Sequence, residues 1–373
     1  MIKNEEEIKI KENNDDKKEP NESSNKTKFK WKKGYISLKI KVVYLQIFFL
    51  IVFTICCCYF ILFHFIKPNF TTEEKKINYL NYINIAYSVG ENDSYIVHVS
   101  MKSIMLSQNP ETFIKFFILT SHDISDNDID IINNICIHNQ TNCEINFIKI
   151  GDRYKEFNSI NMNNYSNNTF YFLRLPELIE KEEKILCLSI TTLVYKDLTK
   201  IYNYDIANKY FIGILDKDNE QNFNITNYID TGVMLMNLNE LRKNDVVSML
   251  EDYLIKKNTR LVEPFNEVIN NICHENNGYF TPGYIQYSLC DINDYYNNAN
   301  NSSMQLENGT IIKDNIPHIY YIRNQVNETW KGIAFNSGRI CPDSIIKFFN
   351  IAIRTKYYKT IIEEFQNIDL ISK

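Results

Sequence analysis

Apolar positions along this chain gather into short blocks of two different periods, and the blocks alternate. INIAYSV (Ile83 to Val89) reads as a first strand, and SYIVHVSMKSIMLSQ (Ser94 to Gln108) repeats its apolar residues at helical spacing. FFILTS (Phe116 to Ser121) predicts a second strand, DISDNDIDIINNICI (Asp123 to Ile137) a second helix with acids in its first turn, and EINFIKI (Glu144 to Ile150) a third strand. Strand, helix, strand, helix, strand predicts an α/β fold with a parallel sheet. KILCLSITTLVYKDL (Lys184 to Leu198) then holds a continuous apolar run between a charged turn, Glu180 to Lys184, and a helix start at Asp197. Such a run is a strand buried on both faces. Parallel sheets bind ligands beyond the carboxyl ends of their strands, so Ser189 to Thr192 are expected at a ligand-binding edge.

The later blocks are less regular. DLTKIYN (Asp197 to Asn203) predicts a short helix and YFIGILD (Tyr210 to Asp216) a strand ending in an acid. NELRKNDVVSMLEDYLIKK (Asn239 to Lys257) reads as one capped amphipathic helix, and the next helix carries FNEVIN (Phe265 to Asn270). IPHIYYI (Ile316 to Ile322) predicts a strand bearing His318, and DSIIKFFNIAIRTKYYKTIIEEF (Asp343 to Phe365) a long terminal helix. Residues 152–169 and 293–313 are Asn-rich and read as surface loops, and no internal repeat is visible.

The first eighty residues carry a topology. Residues 1–41 are charged and aperiodic and cannot bury enough surface to fold alone, which predicts a disordered tail. Residues 42–66 carry no formal charge apart from a protonatable His64, enough to cross roughly 30 Å of hydrocarbon. A cleaved leader fits less well, because the charged region ahead is long and no small-residue cleavage site follows. Lys26, Lys28, Lys30, Lys32, Lys33, Lys39 and Lys41 crowd the N-terminal flank, which orients the tail to the cytosol. The expectation is a single-pass type II protein with a stem over 67–82 and a luminal domain over 83–373, in the Golgi or endoplasmic reticulum.

Composition adds a few limits. A net charge of −5 argues against nucleic acid as a partner. The abundance of Asn, Ile and Lys matches an A/T-rich coding bias, so Asn runs carry little functional weight. Sequons at Asn69, Asn92, Asn139, Asn164, Asn167, Asn224, Asn300, Asn301, Asn308 and Asn327 agree with a secretory compartment. Cys136 and Cys143 are spaced for a loop-closing disulfide, and Cys273, Cys290 and Cys341 offer a second. Cys187 falls in the buried strand as a core thiol; Cys56, Cys57 and Cys58 lie mid-span, where apolar packing is favoured over palmitoylation. No C-x-x-C occurs, which leaves a structural zinc site without support.

FYFLRLPEL (Phe170 to Leu178), KILCLSITTLVYKDL and YIDTGVMLMNL (Tyr228 to Leu238), in this order, resemble glycosyltransferase family 8. The resemblance runs over roughly residues 83–335. It implies a single glycosyltransferase A-type, Rossmann-like nucleotide-sugar domain with a mixed, mainly parallel sheet. In the family, the aspartates of a D-x-D triplet hold Mn2+ or Mg2+ against the diphosphate of a UDP-sugar. Here that triplet is Ser189, Ile190 and Thr191, and no acid lies between Lys184 and Lys196. The base-contacting motif after the first strand falls on Gly90, Glu91, Asn92 and Asp93, where a turn glycine free to take positive φ is the favoured reading of Gly90. Arg174 matches an arginine near the phosphates, with an ion pair to Glu177 as its other reading. Asp230 and Thr231 match residues that face sugar, with a solvated turn as the other reading of Asp230. Glu267 keeps chemistry similar to the acceptor acid, and His318 matches the third metal ligand, with a hydrogen-bonded core histidine as its other and favoured reading. Trp330 follows four residues late in the His318 motif.

Two functions from different classes follow. One is retaining hexosyl transfer from a nucleotide sugar to a glycan or glycoprotein acceptor. The other is a non-catalytic module of the same fold that binds a glycan or stabilises an active glycosyltransferase partner. Hard divalent cations take charged oxygen ligands, and neutral hydroxyls at 189 and 191 do not replace two carboxylates.

Overall fold

The computed structural model describes residues 41–57, 79–90, 92–120, 124–138, 142–151, 154, 167–257, 261, 263–287, 306–307, 310–311, 317–322, 335–336, 339–340 and 342–366. The chain divides into two compact units, Met1–Ile77 and Asn78–Lys373. In the first, residues 41–57 form a helix, α1, whose apolar side chains stand exposed all round, Phe53 at 68% among them. Thr54 within it turns its hydroxyl back to donate to the carbonyls of Leu50 and Ile51. Among the described residues no helix is long and apolar enough to cross a membrane, and positions 58–66 of the expected span lie outside them.

The second unit opens with β1 (Asn81–Val89), which begins two residues inside the segment expected to be stem. It continues through α2 (Ser94–Ser107), β2 (Thr112–Thr120), α3 (Asp126–His138) and β3 (Cys143–Lys149), the order its apolar blocks predict. A 3-10 turn, Asn167–Arg174, runs into α4 (Leu175–Leu178) and β4 (Lys184–Leu188). Then come β5 (Thr192–Val194), α5 (Thr199–Tyr202), β6 (Phe211–Leu215), α6 (Lys217–Phe223), β7 (Ile229–Asn237), α7 (Leu238–Lys243), α8 (Val246–Lys256) and α9 (Pro264–Cys273). The rest comprises β8 (Asn277–Tyr279), β9 (Ile285–Tyr287), a small hairpin β10 (Leu306–Glu307) and β11 (Thr310–Ile311), β12 (Ile319–Tyr321), a second hairpin β13 (Phe335–Asn336) and β14 (Arg339–Ile340), α10 (Pro342–Ala352) and α11 (Tyr358–Gln366).

Seven strands make the main sheet in the order β3-β2-β1-β4-β7-β6-β8. Only β7 runs against the others, so the sheet is mixed and mainly parallel. Strand period two sends alternate residues to opposite faces, and here both faces are covered. Leu186 and Leu188 of β4 and Val233 and Leu235 of β7 enter one core, with Ile96, Val99 and Ile104 of α2 and Phe348 of α10. Ile185 and Cys187, with Met234 and Met236, enter the other, with Phe170, Leu173, Leu250 and Val268. The result is a three-layer α/β sandwich. A second sheet, β5-β12-β9, covers one face beside the carboxyl end of β4.

Three expectations change. The apolar run from Lys184 is two strands in two sheets, because the chain turns at Ser189 to Thr191 and leaves the main sheet. The helix expected over 239–257 breaks at Asp245, which takes φ 50°, and the terminal helix breaks between Ala352 and Tyr358. The Cys136–Cys143 disulfide is present, while Cys187 and Cys273 are buried thiols. Cys290, Cys341 and Trp330 lie outside the described residues.

Candidate functional site at the carboxyl edge of the sheet

Where β4 ends, the hydroxyl triplet closes on itself. The Thr191 hydroxyl donates to the carbonyl of Ile322 at 2.8 Å, so the 2.9 Å contact between Ser189 Oγ and Thr191 Oγ1 is donated by Ser189. The Ser189 carbonyl accepts from Thr192 N at 3.0 Å and from the Thr192 hydroxyl at 2.8 Å. By the same proton count Ser100 donates to Thr192, at 3.2 Å, and Tyr87 to Ser100, at 2.8 Å. Thr191 is 1% exposed and Ile190 is buried. The triplet is therefore a hydrogen-bonded turn that steers the chain from β4 into β5.

The divalent cation that the family resemblance implies would have to bind this donor set. Both hydroxyl protons are committed within the protein, neither group carries charge, and one is fully buried. Among the described residues no three of His, Cys, Asp or Glu are grouped to hold a metal. The residues present do not fit the ion.

Next along the edge, Ser189 N donates to the Gly232 carbonyl at 2.8 Å and brings the start of β7 beside the triplet. Asp230 is 1% exposed, and its Oδ1 accepts from Gly232 N at 2.8 Å. Asn266 Oδ1 accepts from Thr231 N at 3.0 Å and from the Thr231 hydroxyl, while Asn266 Nδ2 donates to Glu263 Oε2 at 2.9 Å. Asn219 Nδ2 donates to both Glu263 Oε2 and Asp216 Oδ2. The polar chain Thr231–Asn266–Glu263–Asn219–Asp216 thus ties the start of β7, the first turn of α9 and the N-terminus of α6. Glu267 is 4% exposed and its Oε1 accepts from Glu263 N. Asn270 serves Ile229 as a strand partner would, accepting from its N–H and donating to its carbonyl, both at 2.8 Å. Beneath them the Tyr228 hydroxyl is buried without a hydrogen-bond partner among the described residues. Burial above all, then the charges of Glu263, Glu267, Asp216 and Asp230, hold that hydroxyl well above the usual tyrosine value.

The sequence pointed to Asp230, Thr231 and Glu267, and the structure brings them together. It missed Asn219, Glu263 and Asn266. The signal for Glu263 and Asn266 was available at the start of α9, where polar residues at 263, 266, 267 and 270 recur at helical spacing between Phe265, Val268 and Ile269.

Three other candidates behave differently. Asn92 is exposed and takes φ 64°, so the turn after β1 rests its left-handed conformation on Asn92 rather than on Gly90. Gly90 N instead donates to Asp93 Oδ2 at 3.1 Å, and a Cβ at 90 would lie 2.9 Å from that oxygen. Arg174 pairs with Glu177 at 3.1 Å, with its Nε buried and without a hydrogen-bond partner. His318 is not at the triplet: Ile319 pairs with Val194 and Tyr321 with Thr192, which puts His318 at the far end of β12, about 13 Å along the strand from Ile322. There its ring meets Tyr284 edge-on at 4.9 Å, and burial, aided by Lys196 and Lys200, lowers its pKa. The place beside Thr191 belongs to Ile322.

A mixed α/β sheet with one reversed strand, a side sheet over the central strand and a polar site at the carboxyl edge define a glycosyltransferase A-type fold. The chain belongs to Glycosyl transferase family 8, whose sequence profile matches residues 58–313. The bifunctional glycosyltransferase WbbM is similar at 13% identity and a TM-score of 0.57, over 76% of this chain; this chain spans about half of WbbM, 51%. The galactosyltransferase LgtC, solved with donor and acceptor sugar analogues, is similar at 18% identity and 0.50, over 64% of this chain and 86% of LgtC. The glycosyltransferase GlyE of Streptococcus pneumoniae TIGR4 is similar at 15% and 0.52, over 79% of this chain and 66% of GlyE. At these identities the shared property is the fold. The comparison with curated protein sequences found no match.

Proposed function

We propose that this chain is a membrane-anchored family 8 protein that recognises a carbohydrate at the carboxyl edge and does not perform metal-assisted transfer from a nucleotide sugar. The observation that carries this is the closed triplet. Departure of a nucleoside diphosphate needs its developing charge stabilised, and the positions that hold a cation in the family are occupied by hydroxyls bonded within the protein. Arg174, the nearest family candidate for a substitute cation, has Glu177 as its partner. Sugar hydroxyls, in contrast, are neutral and match the carboxylate oxygens of Asp230 and the acceptor lone pairs of the Thr231 hydroxyl. A role as stabilising partner of an active glycosyltransferase is the same reading in a complex.

Hexosyl transfer from a UDP-hexose, with retention and without metal, is the second reading. It is favoured by one observation: Asp230 and Glu267 are buried carboxylates at the family's sugar-facing positions. The anchor belongs to the proposal too, with a cytosolic tail over 1–41, a span over 42–66 and a luminal domain in the Golgi or endoplasmic reticulum. It is supported by the uncharged run, the flanking lysines and a disulfide between Cys136 and Cys143.

The test pairs glycan-array binding with a turnover assay over UDP-hexoses. Glycan binding that falls at least tenfold in Asp230→Asn, with no donor turnover, is the expected result. Turnover that depends on Asp230 would replace the first reading with the second.

A further inference from the structure

We infer that Asn224 carries an N-linked glycan, attached to the connection between β6 and β7. The inference rests on the luminal orientation proposed above. Asn224-Ile225-Thr226 meets the acceptor rule, and the fold presents it outward: Asn224 and Thr226 are both exposed, and α6 before them buries no residue. Asn224 ends α6 in the left-handed region, at φ 52°, a conformation that asparagine tolerates better than most residues.

The turn is held from inside. Ile225 N donates to the Glu220 carbonyl at 3.2 Å and Asn227 N to Glu220 Oε1 at 2.8 Å. The Phe223 ring stacks on buried Tyr228 at 5.4 Å and 10°. A bulky chain on Asn224 Nδ2 therefore displaces nothing that the turn needs. Asn92, also exposed, is the contrasting case: the hydroxyl residue of its sequon, Ser94, is 3% exposed at the start of α2.

The attachment forms a bond from Asn224 Nδ2 to C1 of the first sugar and breaks the bond from that C1 to the phosphate of a polyprenyl-diphosphate oligosaccharide, the membrane-borne donor. The amide gives up one proton to solvent, and the polyprenyl diphosphate leaves with the bonding electrons. The glycan then rises from the connection that begins at Asp216 and ends at Tyr228, two residues before Asp230 of β7, on the edge of the candidate site.

The test is full-length chain expressed in a eukaryotic secretory system, treated with peptide N-glycosidase in 18O water and mapped by mass spectrometry. An 18O-labelled aspartate at position 224 is expected, with loss of one glycan's mobility shift in Thr226→Ala and its retention in Thr226→Ser. The two variants separate loss of the acceptor signal from misfolding. An unlabelled position 224 beside a labelled site such as Asn308 would overturn the inference and leave the luminal reading standing. No label anywhere would overturn both.

Discussion

At Gly232 the backbone of β7 passes under the ring of Tyr321. A Cβ there would lie 2.1 Å from Tyr321 Cζ and 2.3 Å from its hydroxyl, so no side chain fits without moving the ring that walls the triplet. Gly232→Ala is expected to destabilise the fold by about 1–3 kcal/mol, and Tyr321→Ala in the same chain to recover part of that loss; denaturant midpoints of the two singles and the double decide it. Additive losses would show that the contact is not the cause. The triplet makes a matching prediction. Thr191→Val deletes the bond to the Ile322 carbonyl and lowers stability by about 1–2 kcal/mol. Restoring both acids, Ser189→Asp with Thr191→Asp, is expected to lower the melting temperature without producing a Mn2+-dependent rise, because position 191 is buried and the residue beside it is Ile322. Much of this was legible: the absence of a carboxylate at 189 to 191 stood in KILCLSITTLVYKDL. That the hydroxyls face one another and a carbonyl 131 residues away was not, since the partner belongs to β12's end and nothing local encodes it.

Among the elements, α2 and α3 pack through a histidine. His98 is 3% exposed, its Nδ1–H donates to the Ile131 carbonyl at 2.8 Å, and Tyr357 meets its ring edge-on at 5.0 Å. Burial, the largest cause, pushes its pKa down to about 4, with Lys102 and Lys356 adding to the fall. The unfolded chain, titrating near ~6.5, takes up this proton first, so stability is complete above that value and falls as pH drops toward 4. The loss is about 3 kcal/mol at most, and His98→Gln should flatten the slope between those limits; an unchanged slope would assign it to other groups. The disulfide joining the end of α3 to the start of β3 closes a short loop, seven residues in separation, and its reduction should remove about 2 kcal/mol and speed amide exchange there. Element type was readable from period alone, and element breaks were not. The split at Asp245 needs a left-handed residue, which Asn244-Asp245 permits but does not announce. The split before Tyr358 has no Gly or Pro; it coincides with Tyr357 turning in to meet Tyr95 and His98.

For the whole molecule, the proposed function separates the fold from the metal chemistry that the family resemblance implies. The alternating apolar blocks, covered on both faces, specify the sheet, and they do so whether or not position 189 carries a charge. The polar chain from Thr231 to Asp216 remains, built from residues on three elements that only the tertiary fold assembles. Asp230 and Thr231 were singled out because YIDTGVMLMNL resembles the pattern of the family; Asn219 was not, because it takes its meaning from Glu263 on another element. The central claim is that this edge has kept its fold and given up its metal-held diphosphate. Calorimetric titration of the full-length chain in detergent with UDP-hexoses, with and without Mn2+, tests it most directly. No metal-dependent heat of binding with any donor is the predicted result; saturable binding that appears only with Mn2+ would contradict it.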